Sequence, residues 1–413
     1  MTIRPITTAS VMDVAVAPER VLEHSRTAVE SVATRLWAGE SVCVGPQLPS
    51  VTNYVTVLRV GGRSFVAKYS LLGTSLVSVV RGLRGTWPEV KTSQRAYVAN
   101  PQGLLAREHA QLRALATVAR RGALPLRVPQ IITYEAGVLI TVAVAAPSLS
   151  TELLRGSQHP GRLLTHVADT ARRLQCAFNA GNPALGAVMS SNPHSSIAGT
   201  YVRKFLSPRR THDYLAALGD GWAGPAERRE IQNSLNELRS VPSSLLCPTA
   251  APVVIYGDLK PEHVLLETAG WQTWVDPGLQ RADPAAELAK LVSRTALLLV
   301  TTQPPADRTS TILDALDQRV TEFLSRESRG NMHMLRRLLA LWLADWSNYL
   351  ATGLSLPPQV PLPLPPMLLA ATTQSRALLL LATDIAAQLV TNPAHAWCVA
   401  LHGCHQLACG QSR

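Results

Sequence analysis

The 413-residue chain has no uninterrupted apolar run of the roughly 18 to 20 residues that a membrane-spanning helix requires. Its most apolar stretches, around 295–301 and 377–390, are short or carry Asp384, which predicts core helices. The N-terminus, MTIRPITTASVMDVAVAPERV, lacks the layout of a secretory signal, because Asp13 interrupts its only apolar part. Cysteine is sparse. Six spread over the whole length do not make a disulfide framework. Acidic residues are in deficit too: 28 Asp and Glu against 39 Lys and Arg leave a formal charge of +11. That excess favours an anionic partner such as a nucleotide, a phosphate or an acidic peptide. The basic residues are scattered in pairs, as in Arg120-Arg121 and Arg209-Arg210, so neither a nucleic-acid stripe nor a membrane partner is expected. What remains, 46% hydrophobic and 16% charged residues, describes a globular, cytoplasmic protein with core enough for more than one domain.

Residues 14–38 carry Val21, Leu22, Val29, Val32 and Leu36 near helical spacing. From 40 to 69 the pattern alternates in short β-rich runs, and Gly61-Gly62 between two of them predicts a hairpin. Residues 70–101 are basic and read as an irregular insertion, longer than most loops and therefore a candidate for gripping substrate or docking a partner protein. A helix is expected at 104–121 and a strand–turn–strand at 130–144. Beyond 150 helices dominate, broken by a β-rich region at 253–280 and a proline-rich stretch at 354–367. A small β-rich part followed by a large helical one predicts two lobes with a ligand cleft.

The stretch VVIYGDLKPEHVLL, 253–266, reads as an apolar strand, a turn bearing Asp258, and a second strand hairpinned to the first. VDPG follows at 275–278 and supplies a second carboxylate, Asp276. Two carboxylates at the ends of neighbouring strands suit a substrate hydroxyl and a hard cation such as Mg²⁺, which takes oxygen ligands from carboxylates and phosphate. Lys68, on a strand in an apolar setting, suits phosphate oxygens, and Glu108 on the next helix can hold it. Glu135, or an acid within the 70–101 insertion, is the alternative partner.

Lys on a strand, Glu on the following helix, G-D-L-x-P before an apolar strand, then D-P-G, resemble the α+β, bilobal protein-kinase-like fold. The closest likeness is to the aminoglycoside phosphotransferase family, and ADPAAELAKL at 282–291 resembles that family's D-P-x-x-[DE]-L-A signature. The resemblance implies an N-terminal helical extension at 1–38, a nucleotide-binding N-lobe at 39–145 and a helical C-lobe at 146–413 with its catalytic loop at 253–283. It implies transfer of the γ-phosphate of ATP to a hydroxyl, in antibiotic resistance or natural-product biosynthesis. Asp258 would be the catalytic base or orienter, Lys260 would reach the transferred phosphate, and Asp276 would bind Mg²⁺ or Mn²⁺. Lys68 would pair with the nucleotide phosphates, held by Glu108, and Asp283 would support the loop from behind.

Three departures accompany the likeness. His263 stands where such kinases carry a metal-binding Asn, and it either ligates the metal or hydrogen-bonds within the loop. Tyr256 replaces a usual His. There is no G-x-G-x-x-G, and the expected nucleotide loop is PSVTNYVTV, 49–57, offering Ser50, Thr52 and Asn53. Two other functions stay open: a Ser/Thr kinase for a precursor peptide, favoured by DLKPE and the basic charge, and a pseudokinase binding module. The Cys- and His-bearing C-terminus, 395–410, lacks paired C-x-x-C knuckles and reads as a terminal helix with small buried cysteines rather than a zinc site.

Overall fold

The computed structural model describes residues 16–411 apart from 81, 83, 157, 180–187, 190–195, 207–224, 240, 242, 247–252, 327–330 and 356–361. In chain order its first elements are α1 (Pro18–Leu36), β1 (Val42–Gln47), β2 (Tyr54–Val60), β3 (Arg63–Tyr69), α2 (Leu76–Val80), α3 (Trp87–Val98) and α4 (Leu104–Arg121). Then come β4 (Leu126–Arg127), β5 (Ile131–Glu135), β6 (Val138–Val142), α5 (Leu149–Arg155), α6 (Pro160–Asn179), α7 (Ile197–Tyr201) and α8 (Pro225–Leu238). The remainder is β7 (Val253–Ile255), β8 (Val264–Leu266), β9 (Gln272–Trp274), β10 (Gln280–Ala282), α9 (Pro284–Thr302) and α10 (Ala306–Arg326), followed by α11 (Asn331–Leu354), α12 (Pro366–Thr373), α13 (Ser375–Leu389) and α14 (Pro393–Ala408).

The chain divides into two compact units. The first holds the residues up to Leu112 with Pro129–Val144 and Gln359–Pro365; the second holds Arg113–Val128, Ala145–Pro358 and Pro366–Arg413.

In the first unit an antiparallel sheet runs in the order β1-β2-β3-β6-β5. Gly61 and Gly62, at φ +52° and +77°, turn β2 into β3 with Val60 opposite Arg63, the left-handed pair that a two-residue hairpin needs. Helix α1 starts on Pro18, carries Glu19 in its first turn and Arg35 in its last, and buries Val21, Val29 and Val32. The insertion at 70–101 is not irregular: it contains α2 and α3. Helix α3 begins with a capping box, in which the Glu89 carboxylate accepts from Thr86 N at 2.7 Å. Its buried residues are Val90 and Gln94 alone, so little apolar periodicity announces it in the sequence.

The second unit packs helices around a continuous apolar core. Trp342 meets Trp346 and Trp397 edge-on at centroid distances of 5.5 and 5.7 Å, and Trp346 Nε1 donates to Ser293 O at 3.0 Å, which ties α11 to α9. The expected 253–266 hairpin is absent: β7 pairs with β10, and β8 with β9. Each strand is only three residues long, and a 3₁₀ turn at Pro261–His263 separates β7 from β8, so the two do not pair with each other. In α14 Cys404 is buried and Cys398 exposed, and among the described residues no three metal-ligating side chains gather anywhere. Among the described residues no helix is long and apolar enough to cross a membrane.

Candidate active site

Asp258 lies in the loop between β7 and β8, and the loop's shape is set by residues that never reach its tip. Gly257 has φ +86°, and a Cβ there would stand 2.1 Å from Gly278 O, so only glycine fits. Gly278 N donates to Tyr256 O at 3.0 Å, which holds the segment after Asp276 against the segment before Asp258. Tyr256 is buried, packs edge-on against Trp274 with centroids 5.0 Å apart, and donates its hydroxyl to Val275 O. The departure from His at this position is therefore structural.

The D-P-x-x-E stretch has two separate jobs. Asp283 caps α9, accepting from Ala285 N at 2.9 Å, and forms an ion pair with Arg337 of α11 at 2.8 Å with both side chains 2% exposed. Glu287, one turn into α9, accepts from Tyr256 N at 2.6 Å and Gly257 N at 3.1 Å. The loop is thus held from behind chiefly by Glu287, while Asp283 holds the helix that carries it.

Burial pushes the Glu287 carboxyl up from 4.5 to about 7, against the backbone N–H groups that favour its charged form. The folded pKa lies above the unfolded one, so the stability it contributes is complete below about 4.5 and is lost as pH rises through about 7. Urea unfolding of wild type and Glu287→Gln between those limits is expected to diverge with a slope approaching ~1.4 kcal/mol per pH unit. Parallel curves for the two proteins would show that Glu287 is charged throughout.

At the tip, Lys260 Nζ stands 2.8 Å from Asp258 Oδ2, His263 Nδ1 3.5 Å from the same oxygen, and Lys290 Nζ of α9 3.6 Å from Oδ1. Burial works to raise the Asp258 pKa, but the Lys260 and Lys290 charges outweigh it and hold the carboxyl well below its ordinary value. His263 lies between the two acids, with Nε2 3.8 Å from Asp276 Oδ2. Burial, and then the Lys260 charge, lower its pKa from 6.5, so its imidazole is neutral near pH 7. Asp276 adopts φ +59°, a left-handed conformation that non-glycine residues seldom take, and its side chain is 40% exposed.

In the first unit, Lys68 Nζ on β3 meets Glu108 Oε1 on α4 at 2.7 Å, both side chains nearly buried. Glu135, the alternative partner, pairs with Arg35 at 2.8 Å. The expected 49–57 loop ends at Asn53, since Tyr54 opens β2; Ser50 Oγ accepts from Asn53 N at 3.2 Å, Asn53 is buried, and Thr52 is the exposed polar side chain of the three.

The chemistry of the donor set fits Mg²⁺ at one point. Asp276 offers an exposed hard oxygen, which suffices for an ion that takes one or two carboxylates and completes its shell with phosphate and water. A neutral imidazole next to the Lys260 ammonium, 3.5 Å from Nε2, is a poor donor for Mg²⁺, and His263 stands between the two carboxylates.

Sequence reasoning did not anticipate Lys290, Asp345, Arg294 or Arg337. Asp345 of α11 accepts from Lys290 Nζ at 2.7 Å and from Ser293 Oγ at 2.6 Å, and pairs with Arg294 at 2.8 Å. The only trace in the sequence is the spacing of Lys290, Ser293 and Arg294, which places all three on one face of α9.

A model of the phosphotransferase enzyme family matches residues 57–314. No curated protein matches the chain. Several solved structures are similar to it. A thermostable mutant of an aminoglycoside phosphotransferase, in ternary complex with AMP-PNP and hygromycin B, is 13% identical at a TM-score of 0.47, over 88% of this chain and 99% of that one. A choline/ethanolamine kinase family protein from Mesorhizobium loti is 15% identical at 0.42, over 93% and 99%. An ethanolamine kinase from Plasmodium vivax is 10% identical at 0.40, over 79% of each. The family match spans more than half of the chain and contains Lys68, Glu108, the Asp258 loop, Asp276 and the D-P-x-x-E helix start. With its antiparallel sheet followed by a mainly helical part, the chain has the α+β protein-kinase-like fold and belongs to the phosphotransferase enzyme family.

Proposed function

We propose that this phosphotransferase moves the γ-phosphate of ATP to a hydroxyl group of a small molecule. The observation that carries the reading is the Asp258 carboxylate, kept ionised in a loop locked by Gly257, Tyr256 and Glu287, with the Lys260 ammonium 2.8 Å away. In this reaction the acceptor oxygen attacks the γ-phosphorus and the bond to the β–γ bridging oxygen breaks. ADP leaves with that electron pair, and the hydroxyl proton passes to Asp258. A carboxylate held well below its ordinary pKa is a weak base, so Asp258 mainly orients the hydroxyl and takes the proton late, as a loose phosphoryl-transfer transition state permits. Lys260 meets the charge of the transferred group. Lys68, fixed by Glu108, meets the nucleotide phosphates, and Thr52 offers its hydroxyl to them. Asp276 would hold Mg²⁺, whose charge neutralises the phosphate oxygens.

The acceptor class follows from the motif likeness to aminoglycoside phosphotransferases, narrowed by the charges around Asp258. Its cationic neighbours are two lysines, and Asp345 is buried and already paired, so no open cluster of carboxylates among the described residues there suits a polycation. An acceptor that is neutral or anionic fits better than one with several ammonium groups.

Thermal unfolding tests the nucleotide site. ATP with Mg²⁺ at about 100 times its dissociation constant is expected to stabilise the protein by ~2.7 kcal/mol, a gain that Asp276→Asn removes. Mass spectrometry of candidate acceptors tests the reaction: an added phosphate on a small-molecule hydroxyl is expected. Phosphate found solely on peptide serine or threonine would replace this reading with a peptide kinase. Nucleotide binding without transfer to any acceptor would make the protein a pseudokinase.

A further inference from the structure

Four charges form a cluster inside the helical unit. Asp258 faces Lys290 at 3.6 Å; Lys290 is hydrogen-bonded to Asp345 at 2.7 Å; Asp345 is paired with Arg294 at 2.8 Å. Side-chain exposures fall along the chain of contacts, from 28% for Asp258 to 12% for Lys290 and 3% for Asp345. Arg294 is fixed at its far end, with its guanidinium 3.9 Å from the centre of the Tyr349 ring. Two carboxylates face two cations here, and Lys260 brings a third cation to Asp258 at 2.8 Å. Lys204 borders the cluster but bonds to Asn348 O at 3.1 Å and Thr352 Oγ1 at 2.8 Å, and burial lowers its pKa to about 7, so it adds at most part of a charge.

Lys260 is the second cation on Asp258: it belongs to the loop itself and reaches Oδ2, whereas Lys290 comes from a helix and approaches Oδ1. Under the reading given above, on which this inference rests, Lys260 turns to the transferred phosphate during the reaction. Asp258 then loses its closer counter-charge. A carboxylate only partly exposed and stripped of its partner is costly and free to rotate.

We propose that Lys290, anchored by Asp345, is a positioning residue for the reaction: it holds the Asp258 carboxylate in charge balance and in orientation while Lys260 engages the phosphate. Asp345 and Arg294 serve to place the Lys290 ammonium and do not touch substrate.

The test is steady-state turnover of Mg²⁺-ATP, with water or an identified alcohol as acceptor, in Lys290→Met and Lys290→Arg. Lys290→Met is expected to lose about ten-fold or more in kcat while the KM for ATP stays within about two-fold, and Lys290→Arg to recover most of the loss. A purely structural lysine would lower stability without that split or that rescue. Wild-type kcat in Lys290→Met overturns the inference. Should Lys290→Met fail to fold, Asp345→Asn, which keeps the shape of Asp345 and loosens Lys290, is expected to give the same split. If the wild-type protein turns over no ATP, the reading of the site fails, and the inference is then decided by crystal structures of wild type and Lys290→Met. In the variant the Asp258 carboxylate is expected to swing away from α9 towards Lys260, and an unmoved carboxylate overturns the proposal.

Discussion

Asp258→Asn is expected to slow phosphoryl transfer by about 10²–10⁴-fold, the range that a lost proton acceptor commands. The substitution keeps the shape of the side chain and removes its charge. Gly257, Tyr256 and Glu287 still hold the loop, since the bonds from Tyr256 N and Gly257 N to Glu287 and from the Tyr256 hydroxyl to Val275 O do not involve the Asp258 side chain. What disappears is the acceptor for the hydroxyl proton and the partner of Lys260 and Lys290. Two cations freed of their carboxylate should hold an incoming polyanion at least as well as before. ATP is therefore expected to bind Asp258→Asn no more weakly than wild type. Calorimetric binding of Mg²⁺-ATP and mass-spectrometric transfer rates check the two halves separately. Transfer within a few-fold of wild type would show that Asp258 is an ordinary turn residue.

Asp283→Ala is expected to cost ~3–5 kcal/mol of stability, the usual consequence of removing one partner of a buried ion pair. Arg337 is 2% exposed and forms its ion pair with Asp283 at 2.8 Å. The alanine also removes the cap of α9, worth about 0.5–2 kcal/mol by itself. Because α9 bears Glu287 and Lys290, the damage reaches the loop before the protein unfolds, and nucleotide-independent activity loss should accompany the lower melting point. Asp283→Ala combined with Arg337→Met should cost less than the sum of the single changes, since the second removes the charge whose carboxylate has gone. Denaturant unfolding of the three variants measures this, and strict additivity would show that the pair is not coupled.

The Lys68–Glu108 pair and the Gly61-Gly62 turn were legible in the sequence for one reason: each rests on residues whose local setting already announces them. Lysine in an alternating apolar strand and two glycines between β-rich runs restrict the backbone or the solvation of the residue itself. The Asp258 loop was legible as a motif, but its pairing was misread. Three-residue strands carry too little pattern to say which neighbour each will bond, and β7 found β10, not β8. Helix α3 was missed because a short helix that buries two residues shows almost no periodicity, although its capping box was in view.

The amino-acid sequence by itself determined the broad order of a β-rich part before a helical one, the family motifs and the identity of the chemical groups, because these depend on residues close together along the chain. Only the tertiary structure decided what holds those groups in place. Lys290 and Asp345, 55 residues apart, meet because α9 and α11 pack through the Trp346–Ser293 contact. Asp283 and Arg337 meet across the same pair of helices. Charged residues on a helix look alike in sequence whether they face water or a buried partner. Burial against a second helix separates the two cases, by removing the water that would otherwise have solvated them.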